Sequence, residues 1–428
     1  MTLHAQTDSI AFDLVAEGLS FPTSLAFDDQ GVLYVAESGL PWDGEAPGGK
    51  IWRVLPRGDR QLHAQDLRHP VNGITWHQGL LYVSEGGSPG RISRILPGGE
   101  RQTVLEGLPG PGNYHTNMAV FGPDGKLYFS QGAMSNSAIV GLDAYDLGWL
   151  RQLPHQHDLP GLDIELAGFD VTTPDPLAED GAKATTGAFV PFGTPTHEGQ
   201  RIEAELPCTA AVMRCNSDGS GLELVAWGLR NAYGLGFISD GTLLAVDQGA
   251  DERGSRPIGS APDLLFRVRA GDWYGWPDFI GGEPVTDPKY RPRKGPQLQF
   301  VLSNHHELPA PQPALLRFPP HCGALKFDQI PEGGSRWPGH LLVALFGDEV
   351  PMTAPEGPRA GRCLARVDPT DWSLHRLPAL PLHRPIEVRF APGEPCPYVL
   401  DFGFFEMEAG AALNARAKSG RILRLAGF

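Results

Sequence analysis

Long hydrophobic runs are missing from this chain of 428 residues. No segment approaches the ~20 apolar residues needed to cross a bilayer, so a membrane-spanning helix is excluded. Positive charge is scarce as well. Lys and Arg total 35 against 50 Asp and Glu, a formal charge of −15, and a surface of that sign repels nucleic acid and anionic lipid. The five cysteines, at 208, 215, 322, 363 and 396, form no Cys-x-x-Cys and no Cys-x-x-Cys-His. That spacing excludes a covalently attached c-type haem and the usual structural zinc sites. An odd number argues against a complete disulfide framework and favours buried free thiols, with Cys208 and Cys215 the only pair close in sequence. The segment Met1–Ser9 lacks a basic start followed by an apolar run, so no secretory signal is read.

Glycine and proline are what the chain has in plenty, 54 and 41 residues. They suit short strands joined by tight turns better than helices. One unit recurs: a Pro/Gly turn, a short apolar strand, an Asp-Gly type of turn, and a strand ending in an acid or amide. Phe21–Phe27 with Gly31–Glu37 is followed by His69–Trp76 with Gly79–Glu85, Tyr114–Phe121 with Gly125–Gln131, and Asn231–Phe237 with Gly241–Asp247. Later copies are Cys322–Phe327 with His340–Leu345, and Arg384–Phe390 with Pro397–Asp401. Several continue into a further strand, as at Lys50–Val54, Arg91–Ile95, Leu264–Val268 and Arg421–Leu425. Glu37 and Glu85 lie about 48 residues apart, within the ~40–50-residue period of propeller blades. A lone meander cannot bury both faces, so the copies pack radially about an axis. The expected fold class is all-β: a six-bladed β-propeller of four-stranded antiparallel blades, one domain over 1–428. The strand Ala11–Ala16 would complete the last blade. The period fails at about 133–205 and about 281–319, and loops of that length usually cover a functional face.

Inner strands of a propeller end beside the central channel. Glu37, Glu85, Gln131, Asp247, Gln248, Asp348 and Asp401 occupy such ends, and each alone reads most simply as a cap for backbone groups at a blade top. More specific is a series of motifs. His115 precedes Phe121-Gly-Pro-Asp-Gly125; Gly228-Leu-Arg-Asn231 precedes Asp247-Gln-Gly249; and the aromatic turn Asp272-Trp-Tyr-Gly-Trp-Pro277 follows. Any one is weak, but their joint order resembles the soluble, pyrroloquinoline-quinone-dependent glucose/sorbosone dehydrogenases, which are quinoprotein propellers. The resemblance runs from about Leu14 to Leu425.

That resemblance implies oxidation of an aldose or sorbosone-like sugar by hydride transfer to Ca²⁺-bound pyrroloquinoline quinone. Electrons would pass to a diffusible acceptor. His115 corresponds to the general base, a role that suits an imidazole. Arg230, Asn231, Gln248 and Arg384 correspond to contacts of the cofactor, whose three carboxylates call for positive charge. The carbonyls of Gly249 and Ala250 correspond to those that hold Ca²⁺. Asn72, Asn117 and Asp247 are weaker candidates for orienting base or sugar; Trp273 could stack on either ring, although its turn reads first as packing. The family implies a periplasmic or secreted enzyme, while the residues leave the cytoplasm open.

The chain also departs from the family. A lysine expected after Leu341–Leu345 is replaced by Phe346-Gly-Asp348, a second late arginine by Ile386, and the acid before the histidine by Tyr114. Arg253, Arg256, His321 and His383 are the substitutes within reach, and glucose itself becomes a poor guess at substrate. Two other classes share the propeller shape. One is a Ca²⁺-dependent lactonase-like hydrolase using Glu37, Asn117 and Asp401, against which the Arg230-Asn231 pair and the Gln248-Gly-Ala loop count. The other is a non-catalytic binding propeller that has lost its cofactor. Pro154-His-Gln-His-Asp158 reads as polar loop lining rather than a metal site.

Overall fold

The first strands of six sheets, Pro22–Phe27, Val71–His77, Thr116–Phe121, Ala232–Phe237, Ala324–Gln329 and Pro385–Phe390, touch in cyclic order and close a ring. Each begins a four-stranded antiparallel sheet, so the chain is a six-bladed β-propeller, as the repeat predicts. The structure is a computed structural model and describes residues 10–179, 181–333, 336–354, 360–408 and 412–426. Closure follows the expected route: Ala11–Leu19 pairs with Gly420–Ala426 and completes the sixth blade with a strand from each end of the chain. Among the described residues no helix is long and apolar enough to cross a membrane. All five cysteines are free thiols, four of them buried.

Blades pack face to face because their middle strands are apolar on both sides. Leu33–Glu37, Leu243–Asp247 and Leu341–Leu345 are buried at every position, the pattern of strands covered on both faces. Between the first two blades lie Ala36, Ile51, Val71, Ile74 and Val83; between the fourth and fifth lie Val246, Leu265, Phe327 and Val343.

Two blades are interrupted. In the third, the chain leaves at Gln131 and returns at Ala211; in the fourth, it leaves at Val268 and returns at Leu316. Both excursions begin earlier or end later than the sequence period suggests, since the aromatic turn already belongs to the second. They bind one another through Ala167 N to Val301 O at 2.9 Å and Ser303 N to Glu165 O at 2.8 Å. Trp273 is fully buried, stacked on Trp227 at 6.4 Å between centroids, and its Nε1 donates to the Trp276 carbonyl. The turn is packing, and Trp273 lines neither the central cavity nor the recess beside it.

The axis is polar and tightly bonded. Lys326, 1% exposed, donates to the carbonyls of Thr23 at 2.8 Å and Asn72 at 2.6 Å and lies 3.3 Å from Glu387. One ammonium group thereby ties four blades together, and burial lowers its pKa to about 8.

Acids at the strand ends latch the blades. Glu37 accepts from Ser20 N, Glu85 from Arg68 N, Asp247 from Arg230 N and Asn231 N, and Asp401 from His383 N and Arg384 N. Each carboxylate satisfies the backbone just before the first strand of its own blade, where no sheet partner is available. Asp401 also takes Arg421 Nε at 3.1 Å. Asp401→Ala is expected to lower unfolding free energy by about 2–3 kcal/mol, because it orphans buried N–H groups. The midpoint of urea unfolding checks this; an unchanged midpoint would remove the latch.

Candidate functional site

At one mouth of the propeller lies a cavity of about 500 Å³. Its two walls differ in chemistry. One carries Thr23, Asn72, His115, Asn117, Asn231 and Gln248; the other carries Trp42, Phe346, Ile386, Phe402 and Phe405. Asp146 and Leu147, from the end of the short helix Leu142–Asp146 in the first excursion, reach its rim. An adjoining recess of about 170 Å³ is lined by Arg230, Asp251, Arg253, His321 and Glu349.

The polar wall is built from successive blades. Asn72 sits on the first strand of the second blade and donates to Thr116 O at 3.0 Å. Asn117 donates from the third blade to Asn231 Oδ1 at 2.7 Å, and Asn231 Nδ2 donates to Gln248 Oε1 at 2.5 Å. This chain of amides crosses from one blade to the next and fixes the orientation of each member.

His115 stands directly before the first strand of the third blade and lines the same cavity. Its Nδ1 is buried with no hydrogen-bond partner. Burial, assisted by nearby His69, lowers its pKa to about 4. The imidazole is therefore neutral at ordinary pH and able to accept a proton. Tyr114, in place of a carboxylate, leaves no anion beside it to raise that value.

Arg230 points the other way. Its Nε donates to Asn136 O at 2.9 Å; Nη1 donates to Gly249 O at 2.5 Å and Gln248 O at 3.2 Å. Its Nη2 bonds Tyr114 Oη, Asn136 Oδ1 at 2.7 Å and Asp251 Oδ2 at 3.0 Å. A guanidinium has five N–H donors, and every nitrogen here is already engaged by protein. The Gly249 carbonyl faces this cation; Ala250 is buried in the same turn. Asp247 lies beneath as a latch, and burial lifts its pKa to about 7.

Arg384, 1% exposed, is likewise spent. It donates to Phe405 O at 3.0 Å, Asp348 O at 2.6 Å and Glu406 Oε2 at 3.1 Å, and it sits behind the rings of Phe346 and Phe405. Of the substitutes, Arg256 is paired with fully buried Asp278 and Arg253 with Asp251 and Asp143. No lysine or arginine side chain among the described residues lines the 500 Å³ cavity, whereas Asp146 and Glu349 do. Burial pushes Glu349 up to about 7. The amides and rings could hold a flat quinone, but the charge does not fit a tricarboxylate, whose desolvation would go uncompensated. Nor do three or more His, Cys, Asp or Glu among the described residues gather as a metal site.

Solved structures with this architecture are informative. The PQQ-bound aldose sugar dehydrogenase of Streptomyces coelicolor is 17% identical, with a TM-score of 0.56 over 97% of each chain. The holo PQQ domain of Coprinopsis cinerea pyranose dehydrogenase is 15% identical, with a TM-score of 0.58 over 98% of this chain and 95% of that one. The soluble aldose sugar dehydrogenase of Escherichia coli, in its apo form, is 12% identical, with a TM-score of 0.57 over 98% and 100%. What these likenesses establish is the fold. No family model matches the sequence, and no curated protein matches it.

Trp42, Tyr233, Glu349, Phe402 and Phe405 also line the cavity and were not singled out from the sequence. Tyr233 lies within the Gly228–Phe237 motif, and Glu349 directly follows the strand-end residue Asp348. Glu349 could have been found by reading one residue further, and Tyr233 within the motif itself. Trp42 and Phe402 sit in loops and Phe405 opens the short hairpin strand Phe405–Met407, all outside the period of the blades.

Proposed function

We propose that the protein is a sugar dehydrogenase. An aldose or sorbosone-like sugar binds in the central cavity with its hydroxyls on Asn72, Asn117, Asn231 and Gln248. His115 takes the hydroxyl proton as hydride leaves the same carbon for a quinone acceptor, and electrons then pass to an external acceptor. The observation that carries this reading is His115: a neutral imidazole that lines a ligand-sized cavity beside neutral hydrogen-bonding amides, with its buried Nδ1 held by no partner. Such a wall suits a polyol, because amides both donate and accept. The shared fold with sugar dehydrogenases supports the same reaction class.

The hydrolase alternative is weaker. Glu37 and Asp401, two of its three proposed metal ligands, are occupied by backbone N–H groups and by Trp52 Nε1 or Arg421.

A base with a lowered pKa predicts an unusual profile. His115 must be neutral, so kcat/KM should rise with pH through an apparent midpoint near 4 rather than near 6.5. The test is oxidation of a panel of aldoses with a quinone and a reporter dye over pH 3 to 8. Aldose-dependent reduction with that acid limb is expected. An absence of reduction with every aldose, in folded protein, would overturn the assignment.

A further inference from the structure

The apolar wall comes from the ends of the first, fifth and sixth blades: Trp42, Phe346 and Phe402 lie in loops, and Phe405 opens the hairpin that pairs Phe405–Met407 with Leu413–Ala415. Trp42 and Phe405 lie 5.5 Å apart between centroids, Phe346 and Phe402 5.5 Å, and Phe402 and Phe405 5.8 Å. Their planes cross at 42° to 80°, so the rings form an angular box rather than one stack. All four border the cavity opposite His115, and Ile386 fills the corner. The nearest cation, Arg384, is shut behind Phe346 and Phe405 with its donors on protein oxygens. A ligand on this wall would find dispersion contacts and edge-to-face ring interactions but no counter-ion.

We propose that the Trp42–Phe346–Phe402–Phe405 box binds an uncharged, carboxylate-free quinone, which serves as hydride acceptor for the sugar on the opposite wall. The inference rests on the dehydrogenase reading. The sugar C–H bond breaks and its electron pair passes with hydrogen to the quinone. The adjacent O–H bond breaks, its proton goes to His115, and a carbonyl forms on the sugar. The reduced quinone then takes the proton from His115 and leaves as quinol, so one aldose and one quinone give one lactone and one quinol. Hydride and proton both travel within the cavity, and the product carries the electrons away.

The test uses the full chain without sugar, which separates this inference from the dehydrogenase reading. Binding of duroquinone, which has no open ring position for thiols to attack, is compared with binding of pyrroloquinoline quinone by equilibrium dialysis. Duroquinone is expected to bind at least tenfold more tightly. Phe405→Leu should weaken it about tenfold by removing one ring of the box. Trp42→Leu, at a partly buried ring in a loop, should do the same if Phe405→Leu fails to fold. Tighter binding of the tricarboxylate would overturn the proposal. So would capture of an aryl glucoside but not of duroquinone, or duroquinone binding that ignores both variants. Duroquinone binding without oxidation of any sugar would sink the dehydrogenase reading and, with it, the acceptor role.

Discussion

His115→Ala is expected to reduce kcat by about 10²–10⁴-fold, the usual contribution of a positioned base, while sugar binding changes little. The reason is geometric. His115 lines the cavity without holding the fold: its Nδ1 bonds nothing, and only its backbone carbonyl is used, by Gly132 N at 2.9 Å. Truncating the ring breaks no hydrogen bond and leaves the amide wall intact. His115→Gln keeps polarity and volume but cannot accept a proton near neutrality, so it should be equally slow. Stopped-flow reduction of the acceptor, with sugar affinity measured separately by calorimetry, divides the two effects. Full activity in either variant would remove His115 from the proton path.

Arg230→Ala should act on stability. Its guanidinium is 3% exposed and joins Asn136, Gln248, Gly249, Asp251 and Tyr114, so it pins the first excursion and two adjoining loops to the fourth blade. Removing it strands several carbonyls and leaves the Asp251 carboxylate to Arg253 and Tyr114 Oη. A loss of about 3–5 kcal/mol is expected, the range for breaking a buried ion pair from one side. Arg230→Lys should recover little of it, since an ammonium cannot reproduce a planar fork that reaches six acceptor atoms. Guanidinium chloride unfolding reads both. A lysine variant as stable as the parent would mean the network carries little energy and would restore Arg230 as a ligand contact.

The blades were legible because the same short pattern repeats: turn, apolar strand, turn, strand ending in an acid. Even the closing strand at Ala11–Leu19 could be placed. The polar wall was legible too, since Asn72, His115, Asn117, Asn231 and Gln248 sit at or beside strand ends whose register follows from the repeat. Charge state was harder. Arg230 and Arg384 look available in sequence, and only three-dimensional packing shows that carbonyls from distant loops consume them. The strand-end acids posed the converse problem. Asp247 and Asp401 fall where a ligand site could be, yet the backbone just before their own blades takes them first. The replacement of cations by Phe346 and Ile386 was visible as a departure; that Trp42, Phe402 and Phe405 join them in one wall depends on the conformation of loops and of the hairpin that carries Phe405.

The central claim is that a sugar loses hydride and proton in this cavity. It is tested most directly by incubating the purified chain with an aldose and a quinone acceptor, then quantifying lactone and reduced acceptor together. The account predicts equal amounts of the two, formed by the parent protein and about a hundredfold or more slowly by His115→Ala. Reduced acceptor without lactone, or no turnover of any sugar by folded protein, would contradict it.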